Sequence, residues 1–477
     1  MPQSEARAII PPLLKEVQFQ GHLTYFFIQD ARLDPAYKAG LTACILLIAT
    51  MLMEKISPDF KMHFKNNLKK RGKAISTSKL LKSLVIRVPI VAAFLILIVF
   101  LNNSSVLAEA QKPIIVGASV ALTGKYSRTG QEQLHGYTMW VEDVNERGGL
   151  LGRPVKLIHY DDESKPGTGA KLYEKLITYD KVDLLLGPYS SGVTFAVSAV
   201  NEKYKFPMVS AGAAATKVWN RGFKYTFGIY TPGIYYMSRI LEFAHGKGLR
   251  KVAIVNADTT FPRDVVKGVK IKAKKLGMEV VFEEEYAIGA TDMTPLITKL
   301  KMKKPDILIG GTYLPDSVSL VRQSKELNFN TKIFSFSVGP GLPDFGKNLG
   351  QDANYIFGSS QWEPTLKLTG VKDFVNKYEK KYRYKPGYHA AGGYGAGQIL
   401  EEAVKKAGSL DKEKLRGALS ALDTATIFGK YKVDETGFQI GKPAYMIQWI
   451  NGNRELVLPR EVSTIDLKYP TPSWRKR

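Results

Sequence analysis

Residues 183–200 read DLLLGPYSSGVTFAVSAV. Leu184, Leu185 and Leu186 form a short apolar run that stops at Gly187-Pro188; two serines follow, and from Ser191 onward apolar residues recur at helical spacing. That order predicts a buried strand, a tight turn and a helix whose first N–H groups lack intrahelical partners. Such a helix start favours anions, and Ser190 and Ser191 add hydroxyls there. Residues 306–316, DILIGGTYLPD, repeat the arrangement ahead of a helical stretch at 317–327. One such unit is common. Two of them, each closing its own run of βα units, predict paired lobes facing one cleft.

The surrounding sequence supplies those units. Strand-like segments at 114–120, 155–160, 183–186 and 207–210 alternate with helix-like ones at 131–145, 169–179 and from Ser191. After Thr231-Pro232-Gly233 a second series follows, with strands at 252–255, 280–284, 307–309 and 332–334 and helices at 264–276, 294–303 and 317–327. From Tyr355 come a strand, helices at 372–383, 390–407 and 412–422, and a terminal strand pair near 428–433 and 444–449. The class is α/β: two doubly wound parallel-sheet lobes joined by hinge crossovers. The expected division is 112–231 plus 363–425 for lobe 1, 232–362 plus 426–460 for lobe 2, and 461–477 as a C-terminal tail.

The first 108 residues read differently. Lys61, Lys65, Lys69, Lys70, Arg71, Lys73, Lys79 and Lys82 precede an apolar run at 88–101, and Asn102 to Ala108 follows with small residues. This is the pattern of a secretory signal, with Val106 and Ala108 before a cut ahead of Glu109. The run falls short of the roughly 20 apolar residues of a spanning helix, and a retained anchor at 62–108 is the alternative. Residues 1–61 are either the product of a mis-called start, with Met62 the true one, or an extension with a second apolar segment at 39–53. Lipidation at Cys44 is rejected because the apolar run follows the cysteine. Cys44 is the only cysteine, so the exported part has neither thiol nor disulfide, which fits a bacterial periplasm.

Against that background, Ile114 to Pro166 (IIVGASVALTGKYSRTGQEQLHGYTMWVEDVNERGGLLGRPVKLIHYDDESKP) resembles the opening of the leucine/isoleucine/valine-binding proteins of bacterial ABC importers. The resemblance continues through Gly187-Pro-Tyr-Ser-Ser191, Phe206-Pro-Met-Val-Ser-Ala-Gly212 and the segment from Arg221 to Phe227, and spans most of 112–455. It implies the type I periplasmic-binding-protein fold, a periplasmic location, no cofactor, a monomer, and a small-molecule ligand passed to permease subunits. The ligand implied is an amino acid or a related small carboxylate.

By the same resemblance, Ser191 is the serine that holds the ligand's α-carboxylate, flanked by Tyr189 and Ser190. A second contact segment matches Ala211, Gly212, Ala213 and Ala214, where the family commonly has a threonine. Ser337 stands where the second lobe usually offers an acid to the ligand's ammonium, and Tyr313 where an aromatic side chain covers the ligand. Thr129, with Ser127 and Arg128, is expected in a cleft-facing turn after the first strand, and Phe261 on the opposite lobe. An ammonium buried without an acceptor is costly, so this set favours a carboxylate or other non-cationic solute. With Tyr189, Phe261, Tyr313 and Trp362 nearby, an aromatic one is expected; a shifted alignment instead restores Asp316 or Asp344 as the acid.

Catalysis finds no footing. Gly117 to Lys125 has glycines too widely spaced for a phosphate loop, and no Gly-x-Gly-x-x-Gly, His-Glu-x-x-His or Gly-x-Ser-x-Gly is present. His135 and His389 read as surface or packing residues, and Ser190 and Ser191 also read as a helix-capping pair. The net charge of +24 comes without zinc-finger spacing or an arginine-rich run, which sets nucleic acid aside. The expected function is solute capture for an ABC importer. The alternative is a ligand-sensing receptor of the same fold, tethered through 84–101.

Overall fold

The computed structural model describes residues 112–477. The extension at 1–61, with Cys44 and the segment at 39–53, and the signal or anchor at 62–108 lie outside the described residues. Among the described residues no helix is long and apolar enough to cross a membrane.

The first lobe is built from β1 (Ile114–Val120), α1 (Ser127–Glu146), β2 (Val155–Asp161), α2 (Pro166–Thr178), β3 (Leu184–Leu186), α3 (Ser191–Lys203), β4 (Met208–Ser210) and β5 (Thr226–Gly228). Its sheet is parallel throughout, in the order β2-β1-β3-β4-β5. The second lobe follows with α4 (Ser238–Gly246), β6 (Lys251–Ala257), α5 (Thr260–Lys275), β7 (Glu279–Tyr286), α6 (Thr294–Lys303), β8 (Ile307–Gly311), α7 (Leu314–Glu326), β9 (Ile333–Phe336), α8 (Pro343–Leu349) and β10 (Ile356–Ser360). The chain then gives α9 (Val371–Tyr382), α10 (Tyr388–Ala407), α11 (Lys412–Ala421), β11 (Asp423–Thr426), β12 (Gly429–Lys432), β13 (Tyr445–Ile450) and β14 (Asn453–Leu458). The second sheet runs β14-β13-β10-β9-β8-β6-β7, so its parallel part repeats the order of the first. In each lobe the strand that follows the second helix slots in beside the first strand.

The sequence dictates this order locally. β3 and β8 are buried along their whole length, as central parallel strands covered on both faces must be, and both are continuous apolar runs. The aspartate ahead of each does the same work: Asp183 Oδ2 accepts the N–H of Ile115 at 2.8 Å, and Asp306 Oδ2 those of Arg250 and Lys251 at 3.0 and 3.1 Å. Edge strand β7, EVVFEEEY, turns glutamates to solvent, which discourages pairing with another chain. The late helix α10 returns to the first lobe and lies along α1. The approach is so close that a methyl group on Gly136 would sit 2.1 Å from the Ala390 carbonyl, and one on Gly397 2.2 Å from the Trp140 ring.

The strands expected to pair near 428–433 and 444–449 do not pair with each other. β12 closes a hairpin with β11, whereas β13 pairs antiparallel with β10 and β14. The intervening chain explains the separation. Gly437 accepts the N–H of Gly228 at 2.9 Å and Phe438 packs on Trp219, so this stretch stays with the first lobe before crossing to the second.

Three crossings therefore join the lobes, and one buried network staples them. The Thr231 N–H donates to Gln361 Oε1 at 2.9 Å, Gln361 Nε2 donates back to the Thr231 carbonyl at 3.2 Å, and Thr231 Oγ1 donates to the Lys442 carbonyl at 3.2 Å. Lys442 Nζ donates to the carbonyls of Gln361 (2.9 Å) and Phe428 (3.0 Å) and lies 3.3 Å from the centre of the Phe428 ring. Its amine has no carboxylate partner among the described residues, and burial pushes its pKa well below the ordinary lysine value. Lys442→Met removes the donor from two buried carbonyls. It is expected to lower the unfolding free energy by about 2 kcal/mol, read as a reduced urea midpoint. An unchanged midpoint would show that the network contributes nothing to the hinge.

Candidate functional site

Between the lobes lies a cavity of about 260 Å³. It is lined by Tyr189, Ser190, Ser191, Gly212, Ala214 and Tyr230 from the first lobe and its outgoing crossing. Tyr236, Phe261, Tyr313 and Val338 face it from the second lobe, and Tyr388 and His389 from the returning helix α10.

The turn after β3 is held from behind. Gln133 Nε2 and the Tyr137 hydroxyl both donate to the Gly187 carbonyl, at 2.8 and 2.7 Å. A methyl on Gly212 would sit 2.3 Å from the Pro188 carbonyl, so the turns after β3 and β4 touch and only glycine fits between them. Ser191 Oγ accepts the N–H groups of Ala214 (3.1 Å) and Ala215 (3.2 Å). With both lone-pair directions engaged, its proton is left to donate. Neither serine acts as the helix cap that the sequence also allowed, because no side chain caps α3.

Four helices begin at this cavity. Ser190 is the N-cap of α3, Phe261 lies in the first turn of α5, Tyr313 is the N-cap of α7, and Tyr388 and His389 open α10. Asp316 completes a capping box at α7, accepting the Tyr313 N–H at 2.8 Å and the Tyr286 hydroxyl at 2.6 Å. The other three carry no acid in their first turn and no side-chain cap. Each such end acts as roughly half a positive charge. No carboxylate lines the cavity.

Six aromatic rings do line it: Tyr189, Tyr230, Tyr236, Phe261, Tyr313 and Tyr388. Tyr126 stands behind Tyr189 and Tyr313, with ring centroids 5.6 and 4.9 Å away, and Tyr236 meets Phe261 edge-on at 5.2 Å. Burial raises the pKa of every lining tyrosine, so all present neutral O–H groups.

Of the residues expected from sequence, Tyr189, Ser190, Ser191, Gly212, Phe261 and Tyr313 come together here, and Ala214 joins them. Ala211, Ala213, Thr129 and Ser337 are buried but do not line the cavity. Thr129 lies in the first turn of α1 rather than in a loop, and its Oγ1 donates to the Tyr126 carbonyl at 2.8 Å. Ser337 Oγ donates to the Thr312 carbonyl and accepts the Thr312 N–H, at 2.8 and 2.9 Å, tying β9 to β8. Ala213 packs with Val218 and Trp219. Trp362 is core, its Nε1 donating to the Ile427 carbonyl at 2.8 Å. Neither alternative acid reaches the ligand space: Asp316 is held at its cap, and Asp344 pairs with Arg128 at 2.7 Å across the lobes.

Tyr230, Tyr236, Val338, Tyr388 and His389 escaped the sequence reading. The crossing that carries Tyr230 and Tyr236 has no periodicity to read. The signal for α10 was present in its small-residue run, AAGGYGAG at 390–397, which marks a helix drawn tight against a neighbour. His389, expected at the surface or in packing, is 1% exposed at the cavity wall. Behind it Glu132 is fully buried, with Oε2 3.9 Å from His389 Nδ1 and Oε1 3.1 Å from Arg128 Nη2.

Burial raises the Glu132 carboxyl from 4.5 to about 7, a shift that Arg128 only partly offsets. Its folded pKa exceeds the unfolded one, so its stabilising contribution is full below pH 4.5 and is lost as pH rises through 7. Glu132→Gln imitates the protonated form. At pH 8 the variant is expected to exceed the native protein in unfolding free energy by about 2 kcal/mol, and at pH 4.5 to match it, as read by urea denaturation. A variant less stable at pH 8 would contradict the assignment.

Residues 113–454, which take in both lobes, match the family described as periplasmic binding protein. Leu/Ile/Val-binding protein homolog 7 of Brucella suis biovar 1 (strain 1330) is 26% identical over 385 residues, covering 76% of this chain and 96% of the relative. Among solved structures, the branched-chain amino acid transporter substrate-binding protein LivJ of Streptococcus pneumoniae, in complex with isoleucine, aligns with a TM-score of 0.67. It is 22% identical and covers 75% of this chain and 100% of its own. An ABC-transporter solute-binding protein from R. palustris, in complex with benzoate, aligns with a TM-score of 0.65 at 20% identity, over 76% of this chain and 97% of its own. The two solved structures share the fold; the sequence match goes further, and the chain belongs to the periplasmic binding protein family.

Proposed function

We propose that this protein captures a small aromatic carboxylate between its lobes and delivers it, as a monomer, to the permease of an ABC importer. Membership of the family implies a periplasmic or extracellular location. No step in this role changes the ligand covalently.

One observation carries the ligand class. Three helix N-termini with no side-chain cap and no acid in their own first turn converge on a cavity that no carboxylate among the described residues lines, Glu132 standing behind the third. An anion gains from every one of those ends. The ammonium of an amino acid would be repelled by them and would find no acid in the wall, and leaving it unpaired costs several kcal/mol. The six rings supply flat apolar walls, against which an aromatic body packs better than a branched aliphatic one. The solved relatives bracket the choice, since one holds isoleucine and another benzoate. The wall described above supports the second kind of ligand.

The deciding experiment is a thermal-shift and calorimetric panel on the purified protein with benzoate, 4-hydroxybenzoate, phenylalanine, leucine, isoleucine and valine. Aromatic carboxylates at a hundredfold excess over Kd are expected to raise Tm by about 3–5 °C, and the branched-chain amino acids to leave it unchanged. Stabilisation by the amino acids alone would overturn the reading.

Ser191→Ala is expected to weaken a bound carboxylate about tenfold, the worth of one charge-assisted hydrogen bond. From sequence alone the substitution reads as neutral for the empty fold. The two N–H groups that Ser191 accepts change that expectation, and the ligand-free Tm should fall by a few degrees. Calorimetry and a melting curve check both; unchanged affinity would remove Ser191 from the site.

A further inference from the structure

We propose that His389 and Tyr230 read a hydroxyl group on the ring of the bound acid, so that the ligand is a hydroxylated aromatic carboxylate. The inference rests on the aromatic-carboxylate reading above and deepens it.

Two polar side chains of the cavity wall have no hydrogen-bond partner among the described residues. His389 is 1% exposed, stacked on Tyr388 with ring centroids 3.9 Å apart and met edge-on by Tyr189 at 5.3 Å. Neither ring nitrogen has a hydrogen-bond partner among the described residues. Tyr230, equally buried, is the one lining tyrosine whose hydroxyl is both shut off from solvent and unpartnered. Its position is made by α10, where a methyl on Gly392 would sit 2.7 Å from the ring and 2.9 Å from the hydroxyl. Only glycine at 392 lets the Tyr230 ring and hydroxyl lie this close to the helix.

A buried donor or acceptor left unmade carries its full desolvation penalty, and such groups are rare enough that each calls for a partner. The chemistry of that partner follows from the two groups. Burial holds the imidazole neutral, with its pKa lowered to about 3, and keeps the Tyr230 hydroxyl protonated. A neutral imidazole offers one acceptor nitrogen and one N–H, and a tyrosine offers an O–H. A ring hydroxyl can donate to the first and accept from the last, so this one group matches the chemistry of both. Glu132, 3.9 Å from Nδ1, and Arg128 behind it lie beyond hydrogen-bond reach of the ring. An unsubstituted ring or an aliphatic side chain would seal both groups off unpaired.

The test measures Kd by calorimetry for benzoate, 3-hydroxybenzoate and 4-hydroxybenzoate on the native protein and on His389→Phe, His389→Gln and Tyr230→Phe. At least one hydroxybenzoate is expected to bind the native protein tenfold or more tightly than benzoate. That ratio should fall below threefold in His389→Phe and survive in His389→Gln, which keeps a donor and an acceptor. Tyr230→Phe should fall between. The ligand-free Tm of His389→Phe should equal or exceed the native value, because an unpartnered polar ring has gone. Equal native affinity for all three acids would overturn the hydroxyl assignment and leave the carboxylate reading standing. A His389→Phe that loses stability and weakens all three alike would make His389 a structural residue. Binding of none of the three would overturn the carboxylate reading and this inference with it.

Discussion

All five strands of the first sheet and five of the seven in the second, from β10 to the β7 edge, run parallel, and the two sheets face each other across the cleft by the same edge. A parallel strand hands the chain to a helix at its carboxyl end, so each helix that follows begins at the cleft. The sign of the potential there is set by topology before any side chain is chosen. Side chains decide only whether that potential is cancelled. Asp316 cancels it at α7, the buried Glu132 carboxyl stands against the Gly387 N-cap of α10, and α3 and α5 carry no acid in their first turns. Desolvating a carboxylate costs several kcal/mol, so one helix start would be too little to hold it, whereas several oriented donors in a dry cavity offset the cost. The third strand of each sheet contributes to the wall from its own lobe, through Ser191 on one side and Tyr313 on the other.

Closing such a site requires the sheets to move as bodies, and the hinge chemistry fits that demand. The contacts that span the cleft include the Arg128–Asp344 pair at 2.7 Å, the buried Thr216–Asp264 hydrogen bond and the Tyr126–Tyr313 ring contact at 4.9 Å. Of these the partly exposed ion pair contributes little and re-forms readily. The staple among Thr231, Gln361 and Lys442 is of another kind. It is buried, it ties all three crossings, and its members bond to backbone. Rotation between the lobes therefore falls to the few residues beside the staple rather than to the staple itself, as hinge motion about short crossings requires.

The paired turns at Gly187 and Gly310, the two series of βα units and the six lining residues that came together were legible because they follow strands whose apolar runs are unbroken. The helix starts at Ser191, Thr294 and Lys412 were legible as well, but four others were not. Residues 131, 264, 317 and 390 mark where periodicity begins, yet the helices start at Ser127, Thr260, Leu314 and Tyr388. The displacement is always in one direction and has one cause. Apolar periodicity reports the stripe that packs on a core, and the first turn of these helices packs on the cleft or the opposite lobe instead. Phe261, Tyr313 and Tyr388 stand in those unread turns or at their caps. Ser337 failed for a related reason: a serine after a strand reads the same whether it meets a ligand or, as here, closes on the neighbouring strand through Thr312.

Selectivity in such a cavity depends more on what is left unpaired than on what is packed. Aromatic walls attract any flat ring, and a change of one small apolar group against them alters binding only about 10- to 200-fold. A buried donor or acceptor waiting for one hydroxyl discriminates far more, because the wrong solute traps it without a partner. Keeping it waiting costs stability in the empty protein, and the cost here is visible in the same few residues. His389 and Tyr230 are buried with polar atoms that lack partners among the described residues, and Glu132 beside them has only its ion pair with Arg128, on elements otherwise packed to the limit of glycine. A core serving stability alone would have filled these positions with hydrocarbon. That α1 and α10 draw together tightly enough to place Glu132 and His389 side by side, and still leave the imidazole without a hydrogen bond among the described residues, is the arrangement expected of a wall completed by its ligand.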